Sequence, residues 1–128
     1  NDQGRASISV GPTAISLVRF TAAPYGQAIS VRWTTSGEMN TWGFYVYRSA
    51  DGTRAHARRV TPALVLGRGR GQGASYAWID TTSVPGSHDS YWLQEVELNG
   101  TTNEYGPATL LNGPAIRNSQ IFLPLVVR

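Results

Sequence analysis

The sequence predicts an all-β, two-sheet antiparallel sandwich. Three observations carry that expectation. Apolar and polar residues alternate in short runs, fourteen glycines and seven prolines punctuate those runs, and no longer window repeats its apolar residues at the helical period.

Residues 14–22 open as an apolar-rich strand that ends at Pro24-Tyr25-Gly26. In residues 28–34 the alternation is clean, with Ile29, Val31 and Trp33 on one face and Ser30, Arg32 and Thr34 on the other. Ser36-Gly37 breaks that strand, which leaves Glu38 in a loop as a partner for nearby backbone groups or an arginine. Residues 43–48 form a third strand, with Phe44 and Val46 on one side and Tyr45 and Tyr47 on the other. Residues 60–66 read as a weaker strand that Pro62 confines to an edge or a bulge. The glycine-rich stretch 67–73 is a mobile loop, because glycines at alternate positions hold no regular structure. Strands follow at 75–80 and 90–98, then Asn99-Gly100, a strong hairpin signal, and a returning strand at 104–111. Seven strands at this spacing fit two sheets. The expected core is Phe20, Ile29, Val31, Trp33, Phe44, Val46, Tyr76, Tyr91, Leu93 and Val96, the apolar phase of each strand.

With 128 residues the chain has room for one domain: an N-terminal extension over 1–13, the sandwich over 14–111, and a C-terminal linker and apolar strand over 112–128. The net charge of +3 is carried wholly by arginine and is too small to mark a nucleic-acid partner. No cysteine is present, so disulfides, thiolate metal sites and cysteine nucleophiles are excluded. No apolar run approaches the roughly 20 residues that span a membrane.

Taken in order, Trp33-Thr34-Thr35-Ser36-Gly37-Glu38, Asn40-Thr41-Trp42-Gly43-Phe44, Val46-Tyr47-Arg48-Ser49, Tyr76-Ala77-Trp78-Ile79-Asp80, Tyr91-Trp92-Leu93-Gln94-Glu95-Val96 and Asn99-Gly100-Thr101 with Tyr105-Gly106-Pro107 resemble bacterial fibronectin type III-like domains, which belong to the immunoglobulin-like sandwiches. Such domains are appended to secreted proteases, other hydrolases and surface proteins. The resemblance covers residues 15–111 and implies a secreted or cell-surface location. It also implies a core role for Trp33 and a corner hydrogen bond from Tyr91 to nearby backbone. The family has no general activity; its members space, support or bind.

Chemistry-bearing residues are sparse. His56 and His88 are the only imidazoles, and neither belongs to a nucleophile elbow or a zinc motif. The acids are dispersed and form no calcium-loop series, leaving Asp80 with Asp89 as the one conceivable loop-borne pair. Arg68 and Arg70 among the glycines lack interleaved aromatics, so they do not make an RNA-binding tract. No catalytic residue, cofactor or metal ligand is assigned.

Several of the aromatics Trp42, Tyr45, Tyr47, Trp78 and Trp92 fall out of phase with the core, so some should face outward. They either form a recognition surface, for protein or carbohydrate, or cover a sheet. The C-terminal segment Ile121, Phe122, Leu123, Pro124, Leu125, Val126, Val127 is apolar throughout. Burying its aliphatic side chains is worth about 1.5–3 kcal/mol each, and ordering the chain costs about 1–2 kcal/mol per residue. Docking is therefore favourable only where the backbone also pairs, as in strand addition. Such a strand either folds onto its own domain or enters a neighbouring copy. The sequence accordingly points to a non-enzymatic extracellular module. It is expected to assemble with other copies of itself or with a parent extracellular protein; binding of carbohydrate by an accessory domain of a secreted hydrolase is the alternative.

Overall fold

The structure, a computed structural model, describes residues 15–84 and 88–110. Eight strands lie in this part: β1 (Ile15–Tyr25), β2 (Ala28–Glu38), β3 (Thr41–Ser49), β4 (Arg58–Arg59), β5 (Val65–Leu66), β6 (Ala74–Asp80), β7 (Ser90–Glu97) and β8 (Thr102–Thr109). A three-stranded antiparallel sheet runs β1-β2-β6. A five-stranded sheet runs β4-β3-β7-β8, with β5 also pairing with β3. The molecule is thus an all-β two-sheet sandwich, with one turn of 3-10 helix at Arg54–His56.

The inner faces meet around Trp33 of β2. Its indole stacks on the Tyr76 ring at 5.2 Å and takes Phe44 of the opposite sheet edge-on at 5.6 Å. Ile15, Ala22, Ile29, Val31, Val46, Tyr91 and Leu93 complete the buried cluster. Phe20, expected in the core, is only half-buried and packs against the cluster's margin. Phe20 pairs with Trp33 across β1 and β2, and its ring reaches Gly106 of the opposite sheet at the open margin of the core. Among the described residues the Trp33 indole N–H has no hydrogen-bond partner, a cost that the stacking and burial offset.

Several boundaries differ from those read in the sequence. Ser36-Gly37 does not end β2; both residues remain in the strand, and Gly37 pairs with Ser16 of β1. Glu38 therefore closes a strand and is buried. The 60–66 segment is not one strand: β4 ends just before it, β5 takes only its last two residues, and Pro62 lies in the interval. Val60 N–H still bonds Val46 carbonyl at 2.8 Å, and Thr61 Oγ1 accepts Val46 N–H at 3.1 Å, so the segment stays attached to β3 without a continuous ladder. It comes so close to β3 that a Cβ on Gly43 would lie 2.5 Å from the Val65 carbonyl oxygen. The returning strand begins at Thr102, two residues earlier than predicted, and Leu110 then meets Ala22 in a parallel bridge.

The register fixes two ends of the sandwich. One, hereafter the exit end, holds the β1–β2 turn, the last residue of β6, and Leu110. The other, the loop end, holds the close of β2, the start of β3, β5, the 67–73 loop and the β7–β8 hairpin. Trp33→Ala is expected to cost about 3–5 kcal/mol; chemical denaturation of the variant checks this, and a loss below about 1 kcal/mol would remove Trp33 from the centre of the core.

Candidate interaction surfaces and the polar clusters behind them

The sequence-predicted aromatics fall into three environments. Tyr45 and Tyr47 share the outer face of the five-stranded sheet and are half-buried. Arg59 lies over the Tyr45 ring at 4.5 Å and Arg54 over the Tyr47 ring at 4.3 Å. Arg54 also donates to Glu104 of β8, and Tyr47 OH bonds Gln94 at 3.2 Å. These rings are engaged by their own protein. Trp92, read as either a surface aromatic or a cover over a sheet, is buried with 7 % exposure. It sits opposite Tyr47 and packs against Gly106, where a missing side chain leaves room for the indole. Trp78 is half-buried beside the core.

Trp42 alone among the five stands well out of the surface, and it has company. Met39, Trp42, Leu66 and Leu98 are 56 %, 53 %, 60 % and 67 % exposed, and all four lie at the loop end. Backbone contacts hold them together: Leu98 N–H bonds Asn40 carbonyl at 2.8 Å, and Gly67 N–H bonds Trp42 carbonyl at 2.9 Å. Met39 and Leu98 also line a depression of about 340 Å³ with Asn40, Gly67, Arg70 and Gly71. The exit end exposes Tyr25 and Val84.

Four buried carboxylates fix these surfaces. Asp80, 1 % exposed, accepts from Arg48 Nη1 at 2.6 Å, Tyr91 OH at 2.8 Å and both the hydroxyl and the amide of Thr82. It thereby joins the last residue of β6 to β3 and β7 of the opposite sheet. The corner bond expected from Tyr91 to backbone goes to this carboxylate instead. Burial pushes the Asp80 pKa up, but the bonds from Thr82, Arg48 and Tyr91 outweigh it and hold it below its usual value. Asp89 accepts from Ser83 at 2.6 Å and lies 3.7 Å from Arg48. The Asp80–Asp89 pair thus already holds a cation, the guanidinium of Arg48.

Glu38 pins the glycine-rich loop. Its Oε1 accepts Gly69 N–H at 2.9 Å, and its Oε2 accepts Thr35 Oγ1 at 2.7 Å and Tyr76 OH at 2.6 Å. Burial and this bond push the Tyr76 hydroxyl up to about 12, so it remains a donor across the working pH range. A Cβ on Gly69 would collide with the Glu38 carboxylate, hence the glycine. The loop expected to be mobile is therefore tied at its centre to β2. Glu95, wholly buried, accepts from Thr41 at 2.7 Å and Asn103 at 2.8 Å. Burial raises its pKa, and repulsion from Glu97 and Glu38 adds to the shift, against the lowering effect of those two donors.

Asp51 takes His56 Nδ1 at 2.5 Å on one oxygen and Ser49 Oγ at 2.6 Å on the other. No proton path joins the imidazole to that hydroxyl through this arrangement, which closes the turn after β3. His88 is exposed. Among the described residues no group of three side chains could hold a metal ion, and no helix is long and apolar enough to cross a membrane. The predicted assembly residues Ile121, Phe122, Leu123, Leu125, Val126 and Val127 lie outside the described residues. So do the extension over 1–13 and the linker over 112–120.

Comparisons with protein-family models, with curated proteins and with solved structures gave no match.

Two substitutions probe the clusters. Tyr91→Phe is expected to cost about 1.5–3 kcal/mol, the range for a hydrogen bond to a charged group, as read from urea unfolding. The carboxylates should give opposite pH dependences. Asp80, with its folded-state pKa lowered, stabilises above 3.8 and loses that contribution as pH falls through the folded value. Glu95, with its pKa raised, penalises the fold increasingly as pH rises from 4.5 through the folded value. Glu95→Gln should therefore flatten the upper limb of the stability profile, and Asp80→Asn the acid limb. Unchanged profiles would contradict these assignments.

Proposed function

We propose that this protein is a non-enzymatic structural module of the fibronectin type III-like kind, acting outside the cell and assembling head to tail with other copies of itself. The observation that carries the reading is the polarity of the sandwich. The described chain leaves at Leu110 on the exit end, and the exposed apolar cluster of Met39, Trp42, Leu66 and Leu98 lies at the loop end. A second copy stacked in the same orientation brings its exit end, with Tyr25 and Val84, onto that cluster. Its apolar segment 121–127 then has a neighbour to enter. Such a contact is heterologous, and heterologous contacts generate open filaments when the rotation does not close. Strand addition supplies the backbone pairing that makes burial of such a segment favourable. The interlocked carboxylate clusters support the same reading, because they brace both ends of the module.

A second reading is favoured by Trp42 itself. An exposed indole at the same end of the sandwich as an open depression offers a stacking platform for carbohydrate, as an accessory domain of a secreted hydrolase would use.

Deleting residues 119–128 and following assembly by sedimentation tests the proposal. Full-length protein is expected to form concentration-dependent assemblies, and the truncated protein to remain monomeric. A full-length protein that stays monomeric at every concentration, or a truncated one that still assembles, would reject strand donation; a monomer that retains polysaccharide would favour the second reading.

A further inference from the structure

A donated strand needs an acceptor edge whose N–H and C=O groups point outward in regular order. The described edges differ sharply in this respect. The pairing of β1 shifts register at Ser16/Leu17 and Leu17/Arg19, and the strand contains Pro24 and already meets Leu110 beside Ala22. The outer side of β3 is occupied by β4 and β5. β8 contains Pro107, which has no N–H, next to Gly106 at φ +127°. β6 is different: it pairs with β2 in one unbroken register over seven residues, without proline or glycine, and no described strand lies on its other side.

The lateral phase of β6 can be assigned. Ala74 N–H donates to Thr35 Oγ1 of β2 at 3.0 Å, and the next carbonyl, that of Ser75, accepts the Arg68 guanidinium. Backbone groups alternate sides along a strand. Tyr76, Trp78 and Asp80 therefore face β2, and Ser75, Ala77 and Ile79 face outward. Arg68 folds over the start of this edge, with its guanidinium 4.5 Å above the Tyr76 ring, and leaves the edge beyond Ser75 open among the described residues.

We propose that the outer edge of β6 is the acceptor for residues 121–127 of a second copy, added parallel to β6. The proposal rests on the reading of the protein as a strand-donating subunit, and chain direction and chirality lead to it. Leu110 runs parallel to β1, and β1 and β6 both run antiparallel to β2. A segment that continues out of the donor's exit end and enters the acceptor at its loop end therefore runs along β6 in the same direction. In parallel strands, residues with the same lateral direction place their side chains on the same face. On β6 the residues facing β2 carry the inward side chains, Tyr76 and Asp80. On the added strand the residues facing β6 must likewise point into the sandwich. If these are Ile121, Leu123, Leu125 and Val127, four aliphatic side chains are buried. Pro124 then falls in the opposite phase, where its missing N–H faces solvent. An antiparallel strand using the same four donors would turn those side chains outward. The segment also has as many residues as β6.

Disulfide trapping tests this cleanly, because the chain has no cysteine of its own. Ser75, Ala77 and Ile79 share the outer face with Phe122, Pro124 and Val126 of the added strand. Full-length S75C is mixed with a separately tagged F122C chain, and I79C with V126C. Both mixtures are expected to give inter-subunit disulfides, and the crossed mixtures, S75C with V126C and I79C with F122C, are not. Ala77→Pro removes one outward N–H without touching the β2 ladder. It is expected to leave thermal unfolding of the monomer near that of the parent and to raise the concentration needed for assembly by about tenfold, the equivalent of about 1.4 kcal/mol. Cross-links in the crossed mixtures alone would overturn the parallel orientation, and cross-links confined within single chains of S75C/F122C would overturn the second copy. If neither set cross-links and Ala77→Pro assembles normally, while the 119–128 deletion still abolishes assembly, β6 is the wrong acceptor and strand donation stands. Assembly that survives the deletion removes the underlying reading as well.

Discussion

An open β-sheet satisfies its backbone hydrogen bonds everywhere except along its edges, and the treatment of those edges organises this molecule. Inside each sheet every strand has a neighbour, and the shared core around Trp33 follows from the pairing. At the margins the solutions differ. Two short strands joined through Pro62 cover one side of β3, bulges and a proline disrupt β1, and a proline interrupts β8. Along β6 one arginine caps one carbonyl. Native proteins usually blunt long regular edges. An edge left regular beside these is the feature that connects the fold to the proposed assembly role.

The buried carboxylates serve the same end by a different interaction. Each would be costly alone, since a charge removed from water is stabilised only where donors replace its hydration. Asp80 has four donors spanning both sheets, and Glu38 has three that lock the glycine loop against β2. Glu95 has fewer and the raised pKa that follows. The loop end is thereby made rigid enough to hold Met39, Trp42, Leu66 and Leu98 on display, and the exit end is held by the Arg48–Asp80 cluster. Preorganised surfaces lose less entropy on association.

Much of the sandwich was legible because its strands alternate. Ile29, Val31 and Trp33 declare a phase, and the same phase in β3 and β7 places Phe44, Val46, Tyr91 and Leu93 inside. Glu95 could have been found by the same rule, since it continues the phase of Tyr91 and Leu93; its charge concealed it. Glu38 had no such signal, because its burial depends on a loop more than thirty residues away folding back to it. The place of Trp92 stayed open for a related reason. Its alternation points outward, but the gap at Gly106 on β8 accommodates the indole, a tertiary fact. The cluster of Met39, Leu66 and Leu98 around Trp42 was equally hidden, since its members come from separate turns and strands. Chemistry was sparse in the sequence, and in the structure the acids bind their own protein's donors.

Amide hydrogen exchange across β6, measured over a range of protein concentrations, tests the account most directly. Tyr76, Trp78 and Asp80 face β2 and should be protected at every concentration. Ser75, Ala77 and Ile79 should exchange freely in dilute protein and become protected as subunits associate. Association that leaves the exchange of Ala77 and Ile79 unchanged would contradict the account.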